Sequence, residues 1–260
     1  MEFSVNRLLK RNEFRIDIPI TDLCNLNCAG CLSFSSLSKR ANNIDISETT
    51  KSIKTLLDKG IKPCMITLSG GEPLLYPNLK DLIHNIRKHY DGFLNILTNG
   101  ILLEKRLDDI KEVDEVALSM YPGINYNRQI LLLKEIKKQI CVHPMTKDYF
   151  INLGLSEIKN TDEKTAEIFE NKCFLNCLSL KDNRLYSCRV TSNIHVLNEY
   201  FNTNFKISNS DYLDIDKITS KDEIFEFTKN KHEFCKYCNF NSKMKFAKSK
   251  RLASEWIFKS

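Results

Sequence analysis

Eight residues hold the densest chemistry in the chain: CNLNCAGC, with Cys24, Cys28 and Cys31 spaced by three residues and then by two. A zinc knuckle or a ferredoxin loop normally completes its four ligands locally. Here the next cysteine is Cys64, and no histidine lies within fifty residues of the group. Three thiolates and an open position describe a metal centre that does chemistry. Three further groups carry reactive or polar side chains at suggestive places. They are SGGEP (Ser69 to Pro73), TNG (Thr98 to Gly100) with Ser119 and His143, and a second thiol set, Cys173, Cys177, Cys188, Cys235 and Cys238.

The elements that must hold these residues alternate. The apolar and β-branched runs FRIDIPI, PCMITLS, LNILT, EVALSMY and QICVHP read as short buried strands. Between them lie helical patterns: SETTKSIKTLLDKG, opened by Ser47 as N-cap and closed by Gly60, then PNLKDLIHNIRKHY, EKRLDDIKEV and NRQILLLKEIKKQI. Repeated strand–helix units mean a parallel sheet, with ligands at the C-terminal strand ends. The cysteine loop follows the first strand, SGGEP the second and TNG the third. Ser119 ends the fourth and His143 the fifth. After residue 150 the rhythm breaks, all eight glycines having come before residue 155 and five of the ten cysteines coming after it.

Composition sets the limits. A chain of 260 residues with 42% hydrophobic content supports one large core, or one domain with a small annex. The N-terminus has no signal-like apolar run and no stretch approaches a membrane span, so no membrane role is expected. Ten cysteines without a secretory signal point to a reducing, cytoplasmic setting, where metal or catalytic roles outrank disulfides. The net charge of +6 is not read as nucleic-acid binding. The stretch SKMKFAKSKR concentrates the positive charge and reads as a solvated face, with docking of an acidic redox partner or an anionic substrate as the alternative.

The C-x3-C-x2-C loop resembles the signature of the radical S-adenosylmethionine (radical SAM) superfamily. The resemblance implies a 4Fe-4S cluster on Cys24, Cys28 and Cys31, whose open iron is chelated by the amino and carboxylate groups of S-adenosylmethionine. An electron from the cluster would then cleave the sulfonium to a 5′-deoxyadenosyl radical. The family usually has an aromatic residue just before the third cysteine; this chain has Gly30, with Phe34 as the replacement against the adenine. SGGEP resembles the family's GGEP motif, which assigns Gly70, Gly71, Glu72 and Pro73 to the cofactor, Glu72 accepting from the methionine ammonium. By the same resemblance Thr98, Asn99 and Ser119 contact ribose and carboxylate, and His143 faces the same cavity.

The segment CFLNCLSLKDNRLYSC resembles the start of the family's auxiliary-cluster (SPASM or twitch) domain, in which a hairpin glycine follows the first cysteine. Asn183 stands at that place, and Asn is the residue that best replaces Gly at positive φ. The resemblance implies an auxiliary 4Fe-4S cluster on Cys173, Cys188, Cys235 and Cys238. Cys177 is left as filler, as an alternative ligand to Cys173, or as a hydrogen donor one helical turn from Cys173. A zinc ribbon joining Cys173 and Cys177 to Cys235 and Cys238 is the competing reading.

The expected fold is α/β. A partial (β/α) barrel of the radical SAM type occupies residues 1–150, a Cys-rich auxiliary-cluster domain 151–242 and a basic tail 243–260. The layout is similar to that of 2-deoxy-scyllo-inosamine dehydrogenases, which implies oxidation or epimerisation of a small-molecule substrate. The implied partner is an electron donor such as flavodoxin or ferredoxin. A peptide maturase would bring an N-terminal peptide-binding module, for which the stretch before Cys24 is expected to be too short. A glycyl-radical activase would place extra cysteines directly after the first loop. An iron–sulfur or zinc carrier would have no use for GGEP and TNG.

Overall fold

The computed structural model describes residues 13–144, 150–152, 154–171, 173, 177–239 and 242–258. Five βα units open the chain. They are β1 (Arg15–Thr21), α1 (Ile46–Asp58), β2 (Met65–Gly70), α2 (Leu79–Arg87), β3 (Phe93–Thr98), α3 (Leu103–Arg106), β4 (Glu115–Met120), α4 (Asn127–Glu135) and β5 (Gln139–Pro144). Then follow β6 (Phe150–Asn152), α5 (Asp162–Asn171), β7 (Cys177–Lys181), β8 (Arg184–Tyr186), α6 (Arg189–Phe201), β9 (Tyr212–Asp214), α7 (Lys221–Lys229) and β10 (Ser242–Met244).

The main sheet runs β5-β4-β3-β2-β1-β7-β8-β9. Strands β1 to β5 pair in parallel, and β7 adds in parallel to the other edge of β1. Strands β8 and β9 continue it antiparallel, while β6 and β10 form a separate pair. This is an α/β fold with an open, partial (β/α) barrel. The boundary expected near residue 150 therefore divides the chain by content and not by sheet, because β7 to β9 extend the barrel sheet itself.

Alternation along the strands separates two faces. Ile16, Ile18 and Ile20, Ile66 and Leu68, Leu94 and Ile96, and Val116 and Leu118 all point into the layer under the helices and are buried. Helix α2 meets that layer with Leu79, Leu82, Ile83 and Ile86, one face at helical spacing. The opposite phase carries Asp17, Ser69, Ser119 and His143, so the inner face of the barrel is polar at the C-terminal strand ends. A second apolar cluster, including Phe34, Leu37, Val190, Ile194, Leu197, Phe234, Tyr237 and Trp256, joins the cysteine-loop segment to the C-terminal half.

Several local expectations are corrected. Helix α1 is capped by Asp45, whose side chain accepts from the Glu48 N–H at 2.8 Å, and Ser47 lies inside the first turn. Both are cap residues, but only Asp45 has a Glu three positions on. The segment EKRLDDIKEV breaks into the short α3 and a 3-10 turn, with Arg106 pinned to the Tyr76 carbonyl at 2.7 Å. Phe34 is 1% exposed in the second apolar cluster and does not line the cavity proposed for the adenine. The basic stretch does present its cations to solvent, as expected, with Lys245, Lys248, Lys250 and Arg251 exposed, while the backbone of residues 247–256 is hydrogen-bonded along the cysteine loop.

Asn183 adopts φ 57° next to Asp182 at φ 50°, the paired left-handed geometry of a tight turn joining β7 and β8. Its side chain accepts from Ser52 Oγ at 2.9 Å and donates to Asp216 Oδ2 at 2.9 Å, tying the hairpin to α1. Asn183→Ala should lower stability by about 1–3 kcal/mol, adding left-handed strain to lost hydrogen bonds, and Asn183→Gly by less. Urea unfolding of the two variants checks that order.

Candidate active site

A cavity of about 350 Å³ opens at the C-terminal ends of the barrel strands. Cys24, Cys28 and Cys31 line it from the loop after β1, and Gly70, Gly71 and Glu72 from the end of β2. Thr98 and Asn99 reach it from β3, Ser119 from β4 and His143 from β5. Residues that the sequence leaves far apart thus converge on one space. Pro73 begins a 3-10 turn behind Glu72 and is buried.

The thiols crowd one another. Burial pushes the Cys24 thiol up to about 12, and the neighbouring Cys31 and Glu72 add to it. Cys28 is pushed up as well, by burial first and then by Cys31 and Cys24. Donors are nonetheless aimed at the sulfurs: the Leu26 N–H at 3.4 Å from Cys24 Sγ, Asn99 Nδ2 at 3.9 Å from the same atom, and the Tyr121 hydroxyl on Cys28. Thiols set in such a nest become good ligands once a cation removes their protons. The residues therefore fit a cluster with three thiolate ligands. Among the described residues no three Cys, His, Asp or Glu side chains converge on a single ion. A four-iron cube spreads its thiolates wider than one tetrahedral zinc, which holds them within about 4 Å of each other.

Glu72 is the hub of the site. It is 1% exposed and its burial raises the carboxyl pKa against three hydrogen bonds that lower it. Oε1 accepts from Thr98 Oγ1 at 2.5 Å and the Leu74 N–H at 3.0 Å, and Oε2 accepts from the Asn99 N–H at 2.8 Å. Asn99 in turn donates to Asn25 Oδ1 at 2.7 Å, so GGEP, TNG and the cysteine loop form one network. The glycines are demanded by backbone: a Cβ on Gly71 would sit 2.0 Å from the Leu23 carbonyl oxygen, and one on Gly70 2.5 Å from that of Thr21. Amides of Gly71 and Glu72 donate to the Thr21 and Leu23 carbonyls at 2.7 Å each.

Sequence reasoning missed Arg189. It opens α6 directly after Cys188, lines the cavity, and donates from Nε and Nη2 to Asp17 Oδ2 at 2.9 and 2.6 Å. Asp17 also accepts from Ser69 Oγ at 2.5 Å. An acid inside RIDIPI, at the inward phase of a buried strand, was the available signal. His143 lines the far wall with Nε2 3.5 Å from Cys141 Sγ, and burial lowers its pKa.

The second thiol set is organised apart from this cavity. Cys188 is the N-cap of α6; burial, with Cys235 and Cys173 nearby and opposed by the Val190 and Thr191 amides, pushes its thiol up to about 12. Cys235 Sγ accepts from the His232 N–H at 3.4 Å, and the Cys238 N–H bonds the Cys235 carbonyl at 3.0 Å. Cys173, Cys188 and Cys235 are thus within electrostatic reach of one another. Cys177 begins strand β7 in register with Arg15, so it is not on a helical turn above Cys173. Its side chain, and residues 174–176, lie outside the described residues.

Residues 18–139 match the family model described as the radical SAM superfamily. The GTP 3′,8-cyclase of Chlorobaculum tepidum is 37% identical over 109 residues, 40% of this chain and 32% of that protein. A probable GTP 3′,8-cyclase of Methanococcus maripaludis is 34% identical over 105 residues, 40% of this chain and 35% of that protein. The match thus spans about a third of these curated relatives. Among solved structures, BtrN in complex with AdoMet and 2-DOIA superposes with a TM-score of 0.56 at 17% identity, covering 89% of this chain and 94% of that one. The anSMEcpe structure with bound AdoMet gives 0.52 at 16% identity, covering 84% and 82%. These likenesses are of fold. No described helix is long and apolar enough to cross a membrane.

Proposed function

We propose that the chain is a radical SAM enzyme that takes a hydrogen atom from a small, polar, carbohydrate- or cyclitol-like substrate, leading to oxidation or epimerisation. The observation that carries the reading is the convergence of Cys24, Cys28 and Cys31 with Gly70, Glu72, Asn99 and Ser119 on one cavity, all within the stretch that matches the radical SAM model. When bound, the cluster and S-adenosylmethionine supply a 5′-deoxyadenosyl radical. Cys24, Cys28 and Cys31 would hold the cluster, and the strand-end residues of β2 to β4 would hold the cofactor. The auxiliary cluster is assigned to Cys173, Cys188, Cys235 and Cys238, on a region running from residue 151 to 242, and an electron carrier of the flavodoxin or ferredoxin type is the assigned donor.

The substrate class rests on the wall. Ser33, Ser35 and Ser36 line the cavity, and Ser35 Oγ is buried without a protein partner. Together with the Arg189–Asp17 pair, hydroxyls of this kind suit a polyhydroxylated ligand. The chain's role there is to bind, orient and keep water out. The relatives named GTP 3′,8-cyclase support a second reading, a purine nucleotide substrate.

Deuterated candidates separate the two. The anaerobic, cluster-loaded protein is incubated with S-adenosylmethionine, a strong reductant, and either carbinol-deuterated aminocyclitols or ribose-deuterated GTP. Deuterium in 5′-deoxyadenosine from a cyclitol is the expected result; label arriving only from GTP would replace the substrate class.

A further inference from the structure

The C-terminal stretch is a strap laid directly over the cysteine loop. The Ala29 N–H donates to the Ala247 carbonyl at 3.0 Å, the Ser249 N–H to the Asn27 carbonyl at 2.8 Å, and Lys248 pairs with Cys28 as an isolated antiparallel bridge. Side chains lock the same contact: Asn27 Nδ2 donates to the Ser249 carbonyl at 2.9 Å, Arg251 Nε to the Ser36 carbonyl at 2.9 Å, and Trp256 Nε1 to the Cys31 carbonyl at 3.0 Å. Two of the three cluster cysteines therefore have their backbone held by this strap.

Its outer face is basic. Lys245, Lys248, Lys250 and Arg251 are exposed and make no ion pair among the described residues. Some surface lysines elsewhere are paired, as in Lys62–Asp91, Lys229–Glu226 and Lys236–Glu233, and others such as Lys51, Lys80 and Lys105 are exposed; the strap differs in gathering its cations beside the cysteine loop. The acid of the strap, Glu255, is spent internally on Ser249 Oγ and the Lys250 N–H. Leu252 stands 53% exposed beside the cations. An apolar contact rimmed by unpaired positive charge, one layer of backbone from Cys28, has the composition of a small, electrostatically steered encounter surface.

We propose that this strap is the docking face for an acidic one-electron carrier protein. The inference rests on the radical SAM reading of the cysteine loop. One electron leaves the donor's reduced flavin and enters the cluster held by Cys24, Cys28 and Cys31; no atom or proton is transferred. The unpaired cations raise the encounter rate, and the strap's hydrogen bonds to the loop place the donor beside the segment that carries the cysteines.

The test uses the full chain, loaded with iron and sulfide, and a reduced flavodoxin as probe. Lys245, Lys248 and Lys250 are changed together to Glu, and separately to Gln, and cluster reduction is followed by stopped-flow absorbance with titanium(III) citrate as the small-reductant control. The Glu variant should be reduced by flavodoxin about tenfold or more slowly at low salt. The Gln variant should fall between it and wild type, and the salt dependence should flatten. Iron content and reduction by titanium citrate should not change. An unaltered flavodoxin rate in the Glu variant overturns the proposal. So does loss of single-stranded RNA binding with the flavodoxin rate kept, which would make the patch a nucleic-acid surface. Failure of the wild-type chain to load or reduce a cluster with either reagent would instead sink the radical SAM reading beneath it.

Discussion

Replacing Cys24, Cys28 and Cys31 together with Ala should abolish S-adenosylmethionine cleavage and halve the iron of the reconstituted protein, from about eight to about four per chain. Burial pushes two of the three thiols up, Cys24 to about 12 and Cys28 as well. Ala removes those thiols with little change of volume and leaves the loop's other ties intact, from Ser36 to the Cys28 carbonyl and from Trp256 to the Cys31 carbonyl. The variant should therefore keep its circular dichroism and, on the proposed assignment, iron bound by Cys173, Cys188, Cys235 and Cys238. Because each thiol ligand must lose a proton to bind iron, loading should strengthen as pH rises at both thiol sets, and the variant should lose only the share of that pH-dependent loading that belongs to Cys24, Cys28 and Cys31. Retention of all the iron would move the first cluster elsewhere. Zinc in place of the residual iron would favour a ribbon for the second set.

Glu72→Ala should be the most damaging single substitution away from the cysteines. The sequence reading gave Glu72 one task, accepting from the cofactor's ammonium. The structure gives it another: three protein donors, from Thr98, Asn99 and Leu74, already end on its carboxylate. Truncation leaves those donors buried and unpaired, at about 1–3 kcal/mol for each, offset by relief from burying the carboxyl. The net expectation is a loss on the order of 2–4 kcal/mol in the stability of the metal-free protein, before any cofactor is added. Asn99 loses its anchor at the same time, which loosens the Asn25 contact and should weaken S-adenosylmethionine binding. Glu72→Gln keeps an acceptor for Thr98 and should cost less on both counts. Urea unfolding of the metal-free chain with cofactor titration of the loaded chain separates the effects. Unchanged stability with weakened binding would make Glu72 a cofactor contact only.

Legibility followed how locally each feature is encoded. The five parallel strands could be read because their buried positions write short apolar and β-branched runs, interrupted by polar residues of the inner face such as Asp17 and Ser119. The site could be read at the strand ends, since a polar residue closing such a run has no reason to be there except the cavity. Asn183 could be read because left-handed backbone selects so few residues. What could not be read depends on contacts across long sequence distance. Strand β7 joins β1 through pairing of Arg15 with Cys177, which no local pattern announces. Arg189 meets Asp17 only because α6 docks across the barrel mouth. The strap looks polar and charged in sequence, and only its backbone bonds to Asn27 and Ala29 reveal what it covers.

The most direct measurement of the central claim is made on the full chain, reconstituted anaerobically with iron and sulfide and incubated with S-adenosylmethionine and titanium(III) citrate. Chromatography then quantifies 5′-deoxyadenosine and methionine. The account predicts both products in equal amounts from wild type and neither from the chain lacking Cys24, Cys28 and Cys31. A fully loaded, fully reduced wild-type protein that leaves S-adenosylmethionine intact would contradict it.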